Sequence, residues 1–249
     1  MTSPREIAKE PLWWALAALA LGVFGMAPLK PLFAALFPQL DRPLYEQDTF
    51  AALVLAHVGI VAVSSAVSIV VGVATGLFVT RAAGSEFRPL TETMVAVGQT
   101  FPPVAVLAVA APLIGFGVAP AWIALALYGL LPILRGTIAG IESVPADVLD
   151  AGTGAGLNAT QRLWSIELPL AAPVLLAGLR TSVIINIGTA AVASTVGART
   201  LGSPIIVGLS GFNTAYVLQG ALVLALLAVS VDLLFDRLGR RCTRWRPAA

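Results

Sequence analysis

The stretch Thr93–Leu134 reads TMVAVGQTFPPVAVLAVAAPLIGFGVAPAWIALALYGLLPIL and contains no Asp, Glu, Lys or Arg. A membrane-crossing helix needs about 20 predominantly apolar residues, so this stretch is too long for one crossing. It reads as a helical hairpin, with its turn at Gly115-Phe116-Gly117-Val118-Ala119-Pro120, where Gly and Pro interrupt the apolar run. Outward from it lie further charge-poor stretches. Pro11–Leu29 is charge-free, Thr49–Thr80 holds only His57, Leu168–Ala198 is interrupted by Arg180 alone, and Thr200–Val231 is long enough for a span plus a preceding amphipathic piece. The expected spans are 11–29, 50–79, 92–115, 119–140, 168–196 and 214–236, giving an all-α polytopic membrane protein with about six transmembrane helices.

Composition agrees. Of 249 residues, 58% are hydrophobic and 11% charged, against about 25% charged in soluble domains. Lipid is therefore the solvent for most of the surface. A net charge of +2 argues against a nucleic-acid partner. Cys242 and His57 are the only residues of their types, which excludes a disulfide framework, a thiolate metal site and most histidine chemistry. Orientation follows from basic residues. With the N-terminus inside, the cytoplasmic side receives Arg5, Lys9, Arg81, Arg88, Arg135, Arg162, Arg237, Arg240, Arg241, Arg244 and Arg246, and the outside only Lys30, Arg42 and Arg199. Both termini are then cytoplasmic. The first span is read as retained rather than as a cleaved signal, because no small-x-small cleavage site ends it. The glycine-rich segment 197–213 lies at the outer interface or re-enters the protein.

The polar loop between the fourth and fifth spans runs Ser143–Pro169 and reads as two short helices with a turn. Pro145 suits a helix start, and Asp147 and Asp150 favour the positive end of the helix dipole. Gly156 is a candidate left-handed stop, and Asn158 with Gln161 is a candidate capping box for the next helix. Small residues at 151, 152, 154, 155 and 156 give the first helix a thin face suited to a groove in a partner. The plainer alternative is a well-capped connector, which leaves the spacing of the whole segment unexplained.

That spacing (acid-Ala-small, three residues, Gly, nine residues, Ile, one residue, Leu-Pro) resembles the EAA loop of binding-protein-dependent ABC transporter permeases. The matching positions are Asp150, Ala151, Gly152, Gly156, Ile166, Leu168 and Pro169, with Leu157 beside Gly156. Two departures stand out: Asp150 replaces the usual Glu, and Gly152 the second Ala. Gly98-Gln99-Thr100-Phe101-Pro102-Pro103, Ala177-Gly178-Leu179-Arg180-Thr181, Ile187-Gly188-Thr189-Ala190 and Gly211-Phe212-Asn213-Thr214-Ala215-Tyr216 resemble the osmoprotectant branch, nearest to its Yeh-type glycine betaine permeases. The resemblance implies a type I importer-permease (MetI-like) fold in the bacterial inner membrane. It implies residues 1–48 as first span and outer loop, 49–236 as permease domain and 237–249 as basic tail. It further implies a second homologous permease, an ABC ATPase dimer gripping the loop, and a periplasmic substrate-binding protein. No phosphate-binding Gly-rich loop occurs here, so ATP and Mg would be bound by the partner ATPase and this chain would carry no cofactor.

Polar groups inside spans are candidate pathway or gate residues. Gln99 beside Pro102 and Pro103 is one, with interhelical bonding as the equal alternative. Asn186 is another, where interhelical bonding is favoured. Arg180 is expected to snorkel or to pair with a carboxylate such as Glu92, and His57 to make a bundle hydrogen bond. Gly72 and Gly76 suggest close helix packing, and Trp13 and Trp14 interfacial anchors. Aromatics are 7% of the chain and scattered, so no cage for a quaternary ammonium ligand is apparent, and recognition falls to the binding protein. An ion-coupled carrier would need inverted repeats and membrane-embedded carboxylates, and an intramembrane enzyme would need paired acids, a Ser/His dyad or a metal cluster; neither pattern is visible.

Overall fold

The computed structural model describes residues 10–242. Arg5, Lys9, Arg244 and Arg246, counted above for orientation, lie outside the described residues. Among the described residues every regular element is helical. They are α1 (Pro11–Phe24), α2 (Lys30–Leu36), α3 (Phe50–Val79), α4 (Arg88–Thr100), α5 (Pro103–Ile114), α6 (Val118–Glu142), α7 (Ala146–Gly154), α8 (Ala159–Arg162), α9 (Leu168–Ala190), α10 (Gly202–Ser210) and α11 (Thr214–Cys242).

Four helical runs are long and apolar enough to cross a membrane: α3, α6, Ala159–Val196 and α11. The count reaches six if two bent pairs each make one span. The expected straight first span is such a pair, bent by 70° between Pro11–Phe24 and Ala27–Leu36. The third is the other, and its cause is local. Phe101 precedes a proline and is driven to extended backbone (φ −74°, ψ 128°), and Pro102 is extended too, so α4 stops and α5 restarts at Pro103. The hairpin turn between α5 and α6 falls at Gly115–Gly117, where both glycines take positive φ.

The chain divides into two compact units. The first comprises Met1–Val63, Pro102–Leu125 and Asn186–Leu234. His57, fully buried on α3, joins two of its segments: Nε2 donates to the Ile187 carbonyl at 3.0 Å, and Nδ1 accepts from the Leu201 amide at 3.3 Å. This is the bundle hydrogen bond expected of it. Segment 197–213 contains α10, a helix of 9 residues, too short to span. A Cβ on Gly202 would lie 1.8 Å from the Ala191 carbonyl oxygen, so only glycine permits that approach. Gln219 on α11 is fully buried; its Nε2 donates to the Pro43 carbonyl at 2.6 Å and its Oε1 accepts from the Tyr45 amide at 3.0 Å. Asn213 adds a bond to the Arg42 carbonyl at 2.9 Å. These ties fix the loop before α3, whose backbone groups would otherwise lack helical partners.

The second unit comprises Ser64–Phe101, Ala126–Ile185 and Phe235–Ala249. Small residues set its helix crossings, as packing in lipid requires. A Cβ on Gly72 would meet Ile133 at 2.8 Å, and one on Gly76 would meet Thr137 at 2.7 Å, so α3 lies directly on α6. Gly136 faces Gly178 in the same way, a Cβ on the former reaching the latter's Cα at 2.8 Å, which brings α6 against α9. Val79, Leu134 and Ile138 form a buried cluster on which Val95 packs. Arg88, at the start of α4, bonds Glu92 at 2.9 Å and grips both carboxylate oxygens of Glu142 at the end of α6.

Candidate functional site

The segment Ser143–Pro169 lies within the second unit and is built by local signals. Pro145, with extended backbone, is the N-cap of α7, and Asp147 lies in the first turn. Asp150 sits further along, so only Asp147 meets the positive end of the dipole as expected. The stop is a complete Schellman motif. Gly156 takes φ +84°, its amide donates to the Thr153 carbonyl at 2.9 Å, and the Leu157 amide donates to the Gly152 carbonyl at 3.1 Å. Asn158 then caps α8: its side chain accepts from the Gln161 amide at 2.9 Å, and the Gln161 side chain accepts from the Asn158 amide at 2.9 Å. Both bonds of the expected capping box are present.

One expectation fails here. The second short helix does not end before the fifth span. α8 runs into a π-helical turn, Leu163–Glu167, and that into α9, so 159–196 is one helical run. The Leu168 amide donates to the Leu163 carbonyl, the wide π spacing. Pro169 therefore follows a loosened turn, where its missing N–H does not interrupt a tight α-helical ladder. Gly152 now has a structural reason: a Cβ there would lie 2.6 Å from Ile166 Cδ1, so α7 rests on the π turn through that contact. Thr153 accepts from the Arg162 guanidinium and braces the same crossing. What remains outward is a thin surface: Asp150, Ala151, Gly154, Ala155 and Gly156 are exposed, and the Trp164 ring stands out beside them at 68% exposure.

Sequence reading missed the base of this loop. Glu167 is buried, 4% exposed, and accepts from Arg81 at 2.6 Å. The π turn is thereby tied to the end of α3 by an ion pair across 86 positions. Neither residue carried a local signal.

The pathway candidates behave differently from one another. Gln99 donates its amide to the Tyr128 carbonyl of α6 at 2.5 Å. That carbonyl is the one Pro132 leaves without its helical N–H donor, four residues on. Ser68 and Ser182 likewise donate to the neighbouring Ala126 and Gly129 carbonyls, each at 2.8 Å. Pro102 and Pro103 form the break between α4 and α5. Asn186 is fully buried on α9. Gln99 falls in the second unit and Asn186 in the first. Arg180 pairs with Asp236 at 3.8 Å rather than with Glu92, which is held by Arg88. Trp13 and Trp14 are exposed in the first turn of α1.

Three aromatics far apart in sequence meet in the first unit. Tyr45 packs edge-to-face on Phe50 (centroids 6.1 Å apart) and on Tyr216 (5.4 Å). The Tyr45 phenol is raised above its ordinary pKa of 10 by burial first, then by the Asp48 carboxylate.

Known proteins match this chain closely. A family model described as binding-protein-dependent transport system inner membrane component matches residues 68–244. The osmoprotectant import permease protein OsmY of Salmonella typhimurium is 40% identical over 185 residues, 74% of this chain and 78% of that protein. The choline transport system permease protein OpuBB of Bacillus subtilis is 37% identical over 190 residues, 75% of this chain and 85% of that protein. Among solved structures, an inward-facing form of the MetNI methionine ABC transporter superposes with a TM-score of 0.70 at 22% identity, covering 78% of this chain and 96% of that one. The fold is thus the type I importer-permease fold, and the chain belongs to the binding-protein-dependent transport system inner membrane component family, the permease subunits of ABC importers.

Proposed function

We propose that this chain imports glycine betaine or a related quaternary ammonium osmoprotectant, as one of two homologous permeases driven by an ABC ATPase dimer and fed by a periplasmic binding protein. The named relatives transport osmoprotectants and choline, which supports the substrate class. The loop geometry carries the mechanism. α7 is stopped, restarted and braced so that Asp150–Gly156 projects as a small-residue surface, while Gly152–Ile166 and Arg81–Glu167 anchor it to two long helices. A rigid element docked in an ATPase groove would pass a push on α7 to α3 and α9. ATP and Mg belong to that partner, and both termini and the loop lie on the cytoplasmic side, by the distribution of Lys and Arg.

Energy source and substrate test this reading together. Uptake of labelled glycine betaine by cells carrying the whole transporter should stop on ATP depletion and persist when the proton gradient is dissipated. The opposite pattern would show an ion-coupled carrier. Uptake competed by non-methylated amino acids but not by choline or carnitine would overturn the substrate class.

A further inference from the structure

The helices of the second unit are not held equally. α6 lies on α3 at Gly72 and Gly76 and on α9 at Gly136, where an added Cβ would meet a neighbour at 2.7 or 2.8 Å. Ser68 of α3 and Ser182 of α9, both buried, bond the same helix at the Ala126 and Gly129 carbonyls. α4 is different. None of its 13 residues is buried, and a Cβ on Gly98 would find nothing within 4 Å. Polar groups fasten its two ends to α6, Arg88 to Glu142 at the start and Gln99 to the Tyr128 carbonyl in the last turn. Between them only Val95 packs on the cluster of Val79, Leu134 and Ile138. Past Thr100 the helical ladder is already broken, because Phe101 and Pro102 are extended. Segments with few buried contacts are the ones that open locally.

We propose that Gln99 is a positioning residue for transport: its bond to the Tyr128 carbonyl latches α4 on α6, and its release frees the last turn of α4 to move while α3, α6 and α9 stay packed. The acceptor makes this bond unlike its neighbours. Four residues after Ala126 and Gly129 stand Leu130 and Ile133, which keep their N–H groups. Four residues after Tyr128 stands Pro132, which has none. The Tyr128 carbonyl therefore takes its donor from another helix, through a side chain that can leave and return. An unmade bond at such a carbonyl is costly, so the latched state predominates. The cost of one bond is nevertheless on the scale that separates two populated conformations. The part the latch plays in uptake rests on the transport reading above; its opening does not. A side chain that merely filled the carbonyl would become dispensable once α6 had its own donor, whereas a latch would not.

The test is amide hydrogen exchange on the assembled permease–ATPase complex in nanodiscs, without solute, for the wild type, Gln99→Leu, and Gln99→Leu combined with Pro132→Ala. Alanine at 132 returns an N–H to the Tyr128 carbonyl, so the double variant should recover the thermal midpoint that Gln99→Leu loses. Exchange across 93–101 should rise roughly tenfold in Gln99→Leu, the weight of one hydrogen bond. It should stay raised in the double variant, and exchange across 64–72 and 178–186 should not change in either. ATP hydrolysis in the absence of binding protein should rise in both. If Gln99→Leu does not assemble, Gln99→Met keeps the side-chain length without the N–H and gives the same comparison. Exchange across 93–101 that is unchanged in the single variant, or restored together with the midpoint in the double one, overturns the proposal. Glycine betaine uptake by the wild type tests the transport reading separately; its failure removes that reading and leaves the exchange result to decide the latch.

Discussion

A Cβ on Gly152 would meet the tip of the Ile166 side chain at 2.6 Å, whereas Gly156 faces open space and is needed for its φ of +84°. The two glycines of the loop therefore predict different failures. Gly152→Val drives a side chain into Ile166 and should uncouple ATP hydrolysis from uptake. Gly156→Ala costs about 1–2 kcal/mol of backbone strain and should lower uptake without abolishing it. Uptake and ATPase rate per assembled complex, measured side by side, distinguish these; equal effects would show that steric fit at Gly152 is unimportant. Inside the membrane the same reasoning applies to hydrogen-bond partners. Gln99→Leu leaves the Tyr128 carbonyl without the donor that replaces the one removed by Pro132, and should cost about 1–3 kcal/mol of stability. His57→Leu strands the Ile187 carbonyl and Leu201 amide together, and should lower the melting temperature of the complex. His57→Gln, able to donate and accept, should recover most of the loss, and uptake should keep its pH profile. A profile altered by His57→Gln would point to proton transfer instead.

At the scale of elements, the loop was legible because its signals are local. Pro145, Asp147, Gly156, Asn158 and Gln161 each act within a turn of their own position, and all but the place of Asp150 and the length of the second helix came out as read. That length was missed because the fifth span was expected to begin at 168, whereas a π turn carries the second short helix straight into it. The tie beneath the loop was illegible for the opposite reason: Arg81 and Glu167 are joined by the fold and by nothing in their neighbourhoods. The aromatic cluster of Tyr45, Phe50 and Tyr216 escaped notice in the same way. Glu167→Gln should destabilise the complex by about 1–3 kcal/mol, less than a fully buried pair because Arg81 is partly exposed. It should also raise amide exchange across 159–167. Exchange confined to global unfolding, with no local change, would show that the ion pair does not anchor the π turn. Asn158→Ala, costing about 1 kcal/mol as lost caps do, should loosen the same amides more mildly.

At the scale of the whole molecule, long charge-free stretches gave the rough placement of four membrane-length helices and of two bent pairs that bring the count to six if each makes one span. They could not show that two of the expected spans are bent pairs, because a break at Phe101–Pro102 removes no apolarity. On the proposed reading, such a chain supplies half of a transport pathway, with force arriving from an ATPase at one small loop. The most direct measurement is therefore made on the reconstituted transporter carrying Asp150→Lys together with Gly156→Trp. Both positions are exposed, so membrane insertion and permease pairing should survive. ATP-driven glycine betaine uptake and the stimulation of ATPase activity by loaded binding protein should both be abolished. Undiminished uptake with normally stimulated ATPase activity in that double variant would contradict the account.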